Sequence, residues 1–274
     1  MNTCVKNKKL TNAYLQRISN TLLINGGYLS NIGLSSGEMG LVLFFYRYAR
    51  LIQNKIYSEY GLKLLGEIQK KIRQNTPVNY KQGLSGIGST IEYLAQNGYL
   101  KVDTDVILEE FDKRIFFTFN LPYLQLDKVA DIGYYALWRL SGNSTKKDAI
   151  LKSVMPHIVN VMDKWQKNQN AINPMVSFFR DILMKKNLNF LHNQSIMSDW
   201  LKLCRKDNSD NSGDDKPFSR LLENFSGNNS TTNKDLDLGI QNGLAGLGLF
   251  LISEFDCDNS WLSLFPNDII FNEK

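Results

Sequence analysis

The strongest constraint on this fold is a glycine-spaced turn that recurs along the chain, each time running straight into apolar residues. Gly243-Leu244-Ala245-Gly246-Leu247-Gly248 leads into Leu249-Phe250-Leu251-Ile252, and Gly83-Leu84-Ser85-Gly86-Ile87-Gly88 leads into Ser89-Thr90-Ile91-Glu92-Tyr93-Leu94. Gly37-Glu38-Met39-Gly40 leads into Leu41-Val42-Leu43-Phe44-Phe45-Tyr46. A degraded copy, Lys128-Val129-Ala130-Asp131-Ile132-Gly133, keeps its last glycine and the apolar sequel Tyr134 to Leu140. Gly37, Gly83 and Lys128 stand about 45 residues apart, the mark of a helical repeat protein. One further period lands on Asn173, where residues 173 to 183 read as an eroded fourth unit with an outer helix at 195 to 204.

Each turn opens a helix that is apolar on every side, and such a helix must be buried on every side. Between these inner helices lie amphipathic ones. Residues 10 to 24 form an opening helix ended by Gly26 and Gly27. Residues 57 to 74 place Tyr60, Leu64, Leu65, Ile68 and Ile72 on one face, and residues 104 to 117 turn Val106, Ile107, Phe111 and Ile115 inward. Residues 146 to 167 form a further outer helix, kinked or shortened by Pro156, and Trp261 to Phe265 form a closing tail. The expected architecture is all-α: an α/α toroid of inner and outer helices, built as a single domain over residues 1–274. Residues 206–235, rich in Asp, Asn, Ser, Gly and Thr, form a loop with a short helix at 218 to 225. If the ring stays an open arc, a second copy of the chain or another protein covers the exposed inner helices.

The glycines at Gly37, Gly40, Gly83, Gly86, Gly88, Gly243, Gly246 and Gly248 are structural turn residues: they permit a positive φ and a close approach of the helix start to its neighbours. Converging helix N-termini would make an electropositive funnel suited to an anion or a peptide carboxylate. Charge narrows the partners further. The 32 basic and 27 acidic residues are scattered without a basic stripe, which gives no support for nucleic-acid binding. Apolar runs are too short for a membrane span, the start is polar, and three widely separated cysteines fit a reducing, cytoplasmic setting rather than a disulfide framework.

The repeat length, the Gly-Leu-x-Gly-x-Gly helix opening and the amphipathic outer helices together resemble the LanC-like proteins, the lanthionine synthetase cyclases. Gly83 to Leu94 and Gly243 to Ile252 look like that family's repeat motif, Gly33 to Tyr48 like its first unit, and Trp261 to Phe265 like its closing tail. The resemblance implies an α/α toroid with fewer repeats than the family's usual seven. It also implies a role in maturing ribosomally made peptides, where a zinc-bound substrate cysteine adds to a dehydrated Ser or Thr. That zinc is held by Trp-Cys-x-Gly and Cys-His-Gly motifs, and neither occurs in this chain.

Three functions follow as expectations. The first is a binding or accessory homologue with no cofactor, whose partners are a precursor peptide or its modifying enzymes. The second is an active zinc-dependent cyclase using His192, Cys204 and Cys257 as a non-standard ligand set. His157 lies beside an apolar helix face and reads as a packing residue. The third is a carbohydrate-active toroid enzyme in which Glu38 and Asp131, both at glycine turns, face a central opening as paired carboxylates. Against that stand plainer roles: N-capping for Asp131 and a favourable first-turn charge for Glu38.

Overall fold

The structure is a computed structural model that describes residues 2–118, 126–150, 152–153, 237–241 and 243–265. The described residues are helical and contain no strand. The helices are α1 (Asn2–Asn25), α2 (Glu38–Ile52), α3 (Lys55–Lys71), α4 (Leu84–Gln96), α5 (Thr104–Ile107), α6 (Glu109–Phe117), α7 (Leu126–Ser141) and α8 (Leu244–Asp256). Short 3-10 turns follow α1 at Gly26–Tyr28 and α8 at Ser260–Leu264. No described helix is long and apolar enough to cross a membrane. The expected outer helix beyond residue 153, the fourth unit, the 206–235 loop and its short helix lie outside the described residues.

The chain divides into two compact units. One joins Met1–Asn75 to Ser212–Lys274, and the other is Thr76–Asn211. In the first unit α2 is buried along its whole length from Glu38 to Ala49, as an all-round apolar sequence demands. The amphipathic α3 packs against it through Gly61, Leu64 and Ile68. Glu38, at the start of α2, meets Lys71 at the end of α3, while Tyr48 and Tyr57 meet at the other ends, so the two run antiparallel. The late helix α8 packs against both α1 and α2. Its relation to α2 is parallel: the Ile240 and Gln241 amides before α8 donate to the Ser35 carbonyl before α2, and Asp256 at the far end of α8 meets Arg47. Trp261, whose indole donates to Ser253 Oγ at 2.8 Å, and Phe265 close the end of α8.

The second unit repeats the plan. Gly88 early in α4 lies against Tyr135 of α7, and Gln96 at the end of α4 donates to the Trp138 carbonyl, so these inner helices are again parallel. The register of the outer segment differs from the periodicity. Val106 is 68% exposed and Ile107 45%, whereas Leu108 and Ile115 are fully buried. The segment breaks at Leu108 into α5 and α6, and the residues turned inward include Asp105 and Asp112, which meet a buried arginine.

The three clear glycine turns share one backbone design. Gly37, Gly83 and Gly243 are the N-caps of α2, α4 and α8, and none supplies a side-chain cap. The first helical amide instead donates to the carbonyl seven residues earlier: Glu38 to Asn31, Leu84 to Pro77 and Leu244 to Asp237, each at 2.9 Å. Asn31 and Asp237 also accept from the amides of Gly33 and Gly239, which tightens the loop. The expectation of positive φ is wrong here: all three capping glycines are extended, with φ near −122°. What excludes a side chain is space. A Cβ would collide with the Asn31, Pro77 or Gly239 carbonyl, the very groups that close the loop. Among the described glycines, a positive φ occurs at Gly98.

The steric account separates two glycine substitutions. Gly83→Ala should cost about 3 kcal/mol, because the intruding methyl meets backbone rather than a mobile side chain. Gly66→Ala in α3, where a Cβ meets open space, should be neutral or stabilising by up to about 1 kcal/mol. Urea unfolding of both variants decides this, and equal stability loss would contradict it.

Candidate functional site

The helix starts of α2 and α8 do not offer the electropositive funnel expected there. In α2 and α8 the first three helical amides all donate to loop carbonyls, so they are not offered to a ligand. Chemistry at those two turns therefore rests on side chains.

Glu38 occupies the first helical position of α2, where α4 and α8 have Leu84 and Leu244. Its side chain is 1% exposed and points to the outer helix, where Lys71 Nζ donates to Oε1. Oε2 has no hydrogen-bond partner, nor does the nearby loop hydroxyl of Ser35, itself 3% exposed. A carboxylate here suits the positive end of the helix dipole, and Lys71 supplies its counter-charge. Burial, with the Glu38 charge adding to it, pushes the Tyr60 phenol upward.

Asp131 belongs to the other unit and is half-buried. It does not cap its helix, because α7 begins at Leu126, five residues earlier, and Asp131 sits inside it. Its charge acts on Tyr80, whose phenol is raised above its ordinary value first by burial, then by Asp131. Glu38 and Asp131 thus occupy separate units and unlike settings: one pinned between inner and outer helix, one beside buried aromatic hydroxyls.

Sequence reasoning missed the densest polar cluster, which surrounds Arg139 of α7. Its side chain is fully buried and uses all five N–H donors. Nε donates to Asp112 Oδ1 at 3.1 Å, and Nη1 to Glu92 Oε2 at 3.0 Å and Thr104 Oγ1 at 3.2 Å. Nη2 donates to Asp105 Oδ1 at 2.7 Å and Asp112 Oδ2 at 3.0 Å. Tyr135 donates to Asp112 at 2.5 Å. Asp105 also accepts from Ser144, from the Thr145 hydroxyl and from the Thr145 amide. Burial alone would raise the Asp105 carboxyl, but the hydrogen bonds from Ser144, Thr145 and Arg139 outweigh it and hold it well below the usual carboxylate range. One guanidinium so ties α4, α5, α6 and α7 to the turn after α7. With every donor engaged, its role is structural.

The corresponding charge in the first unit is Arg47, whose Nη2 donates to Asp256 at 2.9 Å and to the Asp258 carbonyl at 2.7 Å. Asp258 is lowered, its burial outweighed by Ser260 hydrogen bonds and by Arg47. Between the two carboxylates stands Cys257, exposed and left-handed at φ 57°, as the C-cap of α8. It is the one member of the His192, Cys204 and Cys257 set among the described residues. It stands at the end of α8 farthest from the glycine turn, where Arg47 engages its two neighbours Asp256 and Asp258. Among the described residues no group of three His, Cys, Asp or Glu gathers in a way that could hold a metal ion. His192 and Cys204 lie outside the described residues.

Compared with protein-family models, with curated proteins and with solved structures, the chain matches none.

Two predictions follow from the buried charges. Arg139→Met leaves three carboxylates facing one another in the interior and should destabilise by about 4 kcal/mol. Asp105, held below its ordinary range, contributes stability that is complete above the usual carboxylate pKa of about 4 and is lost as pH falls through its depressed value. Asp105→Asn should therefore be less stable at neutral pH and flatter in its acid dependence below about pH 5; an unchanged slope in acid denaturation would refute the assignment.

Lys71→Met strands the buried Glu38 carboxylate and should cost about 3 kcal/mol. Lys70→Met, which breaks only the exposed pair with Glu67, should change stability by less than about 1 kcal/mol. Parallel denaturation curves test the contrast.

Proposed function

We propose that this chain is a LanC-like protein of ribosomal peptide modification that acts as a binding or accessory homologue of the thioether-forming cyclases. The observation that carries the reading is the thrice-repeated glycine-capped loop, each copy opening a buried inner helix in the stretches whose sequence looks like that family's repeat. A second feature supports the toroid part of the reading: α8, late in the chain, lies parallel to α2, the first inner helix, as ring closure requires.

The binding role, rather than cyclisation, rests on the donor set. The chain lacks the Trp-Cys-x-Gly and Cys-His-Gly motifs, and the carboxylates on either side of Cys257, Asp256 and Asp258, are engaged by Arg47. Precursor recognition needs only the bowl and its rim, because the partner enzymes supply the dehydration and ring-closing steps. The carbohydrate-active alternative gains no specific observation, since Glu38 is buried against Lys71.

Titration with a synthetic Ser-, Thr- and Cys-rich precursor-type peptide, in its unmodified and dehydrated forms, tests the proposal. The expected result is saturable binding with all peptide cysteines still open to alkylation after incubation with zinc. Loss of alkylation together with stoichiometric zinc, both abolished by Cys204→Ala, would establish the cyclase instead; absence of binding to either form would refute the peptide-binding role.

A further inference from the structure

Two surfaces of this chain complement each other in shape and in charge. The first is the outward face of α3. Of the two glycines inside that helix, Gly61 is required by packing, because a Cβ there would lie 3.1 Å from the Tyr46 ring. Gly66 is not, since a Cβ there would have nothing within 4 Å. Glycine inside a helix is disfavoured relative to every residue but proline, and where no internal contact demands it, its use is to let another group approach the backbone closely. One turn to either side of Gly66 stand Leu62, Lys63, Gln69 and Lys70, all exposed, with Leu62 at 58%. Helical spacing sets Leu62 and Gln69 on one side of Gly66 and both lysines on the other. The result is a notch with an apolar edge and a cationic edge.

The second surface surrounds the break between α5 and α6. Val106 and Ile107 are turned outward there, while Arg139 holds Asp105 and Asp112 inward. Asp103 stands three residues before Val106, with Glu109 and Glu110 three and four after it, and all three carboxylate residues are exposed. This is an apolar knob framed by anions. Lys113 bonds Glu109 and Glu110, as Lys70 bonds Glu67 across α3, but exposed pairs of this kind are worth little and can exchange for a partner's charges.

Like faces repel: α3 against its own copy sets lysine on lysine, and the α5–α6 face against its own copy sets carboxylate on carboxylate. Unlike faces attract. We propose that copies of this chain associate head to tail, the Val106 and Ile107 knob of one copy entering the Gly66 notch of the next, where its flanking carboxylates meet Lys63 and Lys70. The two surfaces are different patches in different units, so the contact is heterologous and continues into a ring or a filament instead of stopping at a symmetric dimer.

Sedimentation equilibrium of the full chain, at concentrations up to about 100 μM and in low and high salt, reads this association. The expected result is a mean mass that rises with concentration and falls with salt. Gly66→Leu, whose Cβ meets nothing in its own chain, should weaken association about tenfold while its urea unfolding midpoint stays at or above that of the wild type. Charge reversal adds a rescue that misfolding could not produce. Lys63→Glu with Lys70→Glu leaves two acidic faces, and Glu109→Lys with Glu110→Lys leaves two basic ones. Neither double variant should associate alone, and an equimolar mixture of the two should. A wild type that is monomeric at every concentration would overturn the proposal. So would undiminished association in Gly66→Leu, association that persists in both reversed variants, or a mixture that stays monomeric.

Discussion

Everything in this fold hangs on a helix start closed by backbone alone. An ordinary helix recruits a Ser, Thr, Asp or Asn side chain for its first free amides. Here the carbonyl seven residues upstream does that work, and the capping residue must lack a Cβ because those carbonyls stand where one would be. Loop and inner helix become one unit whose entry angle is fixed. The Ser35 carbonyl then receives the amides of Ile240 and Gln241, which sets the start of α8 beside the start of α2. Closing the amides internally also removes the starts of α2 and α8 as anion sites, so recognition there has to come from side chains on or around the helices.

Helices buried on all sides create the second constraint, because a charge within them cannot reach water. Arg47 and Arg139 are both fully buried, and each reaches carboxylates on the neighbouring helix or just after it. Such pairs add little net stability over well-packed apolar residues, since desolvation offsets most of the Coulomb gain. Their geometric effect is larger. Apolar faces of parallel helices tolerate a slip along their axes, whereas Arg47 against Asp256, and Arg139 against Glu92, specify which turn meets which.

Much of this was readable from residue spacing. All-round apolar runs gave the inner helices α2, α4, α7 and α8, and the three- and four-residue periodicity gave α1 and α3. The outer segment after Asp103 was misread because periodicity counts only apolar side chains. Arg139 draws Asp105 and Asp112 inward, and Val106 and Ile107 rotate outward in consequence. The sequence held a signal for this: Glu92 is the lone charge in α4 and Arg139 the lone charge in the apolar run Tyr134 to Leu140 of α7, so each had to have a buried partner. Which partner was not legible, because the repeat period fixes elements and not the contacts between residues 47 positions apart. The misassigned positive φ has a similar origin. Glycine answers both to left-handed backbone and to crowding, and composition cannot tell them apart.

Internal repetition offers a way past that limit. Where the three copies agree, in the capping glycine, the upstream carbonyl and the apolar helix body, the residue serves the fold. Where one copy departs toward polarity at a buried position, the fold has already been shown to manage without it. Glu38 against Leu84 and Leu244 is one such departure, and Tyr80 with Ser89, where the other copies have Leu34 with Leu43 and Ile240 with Leu249, is another. Each carries a solvation cost that its sister copies avoid. A buried polar group that sister copies replace with leucine is better evidence of a specific role than any carboxylate found at an exposed turn. By that standard Glu38 with Lys71, and Tyr80 with Ser89, rank above Asp131 and Cys257 as the residues through which this chain differs from a bare scaffold.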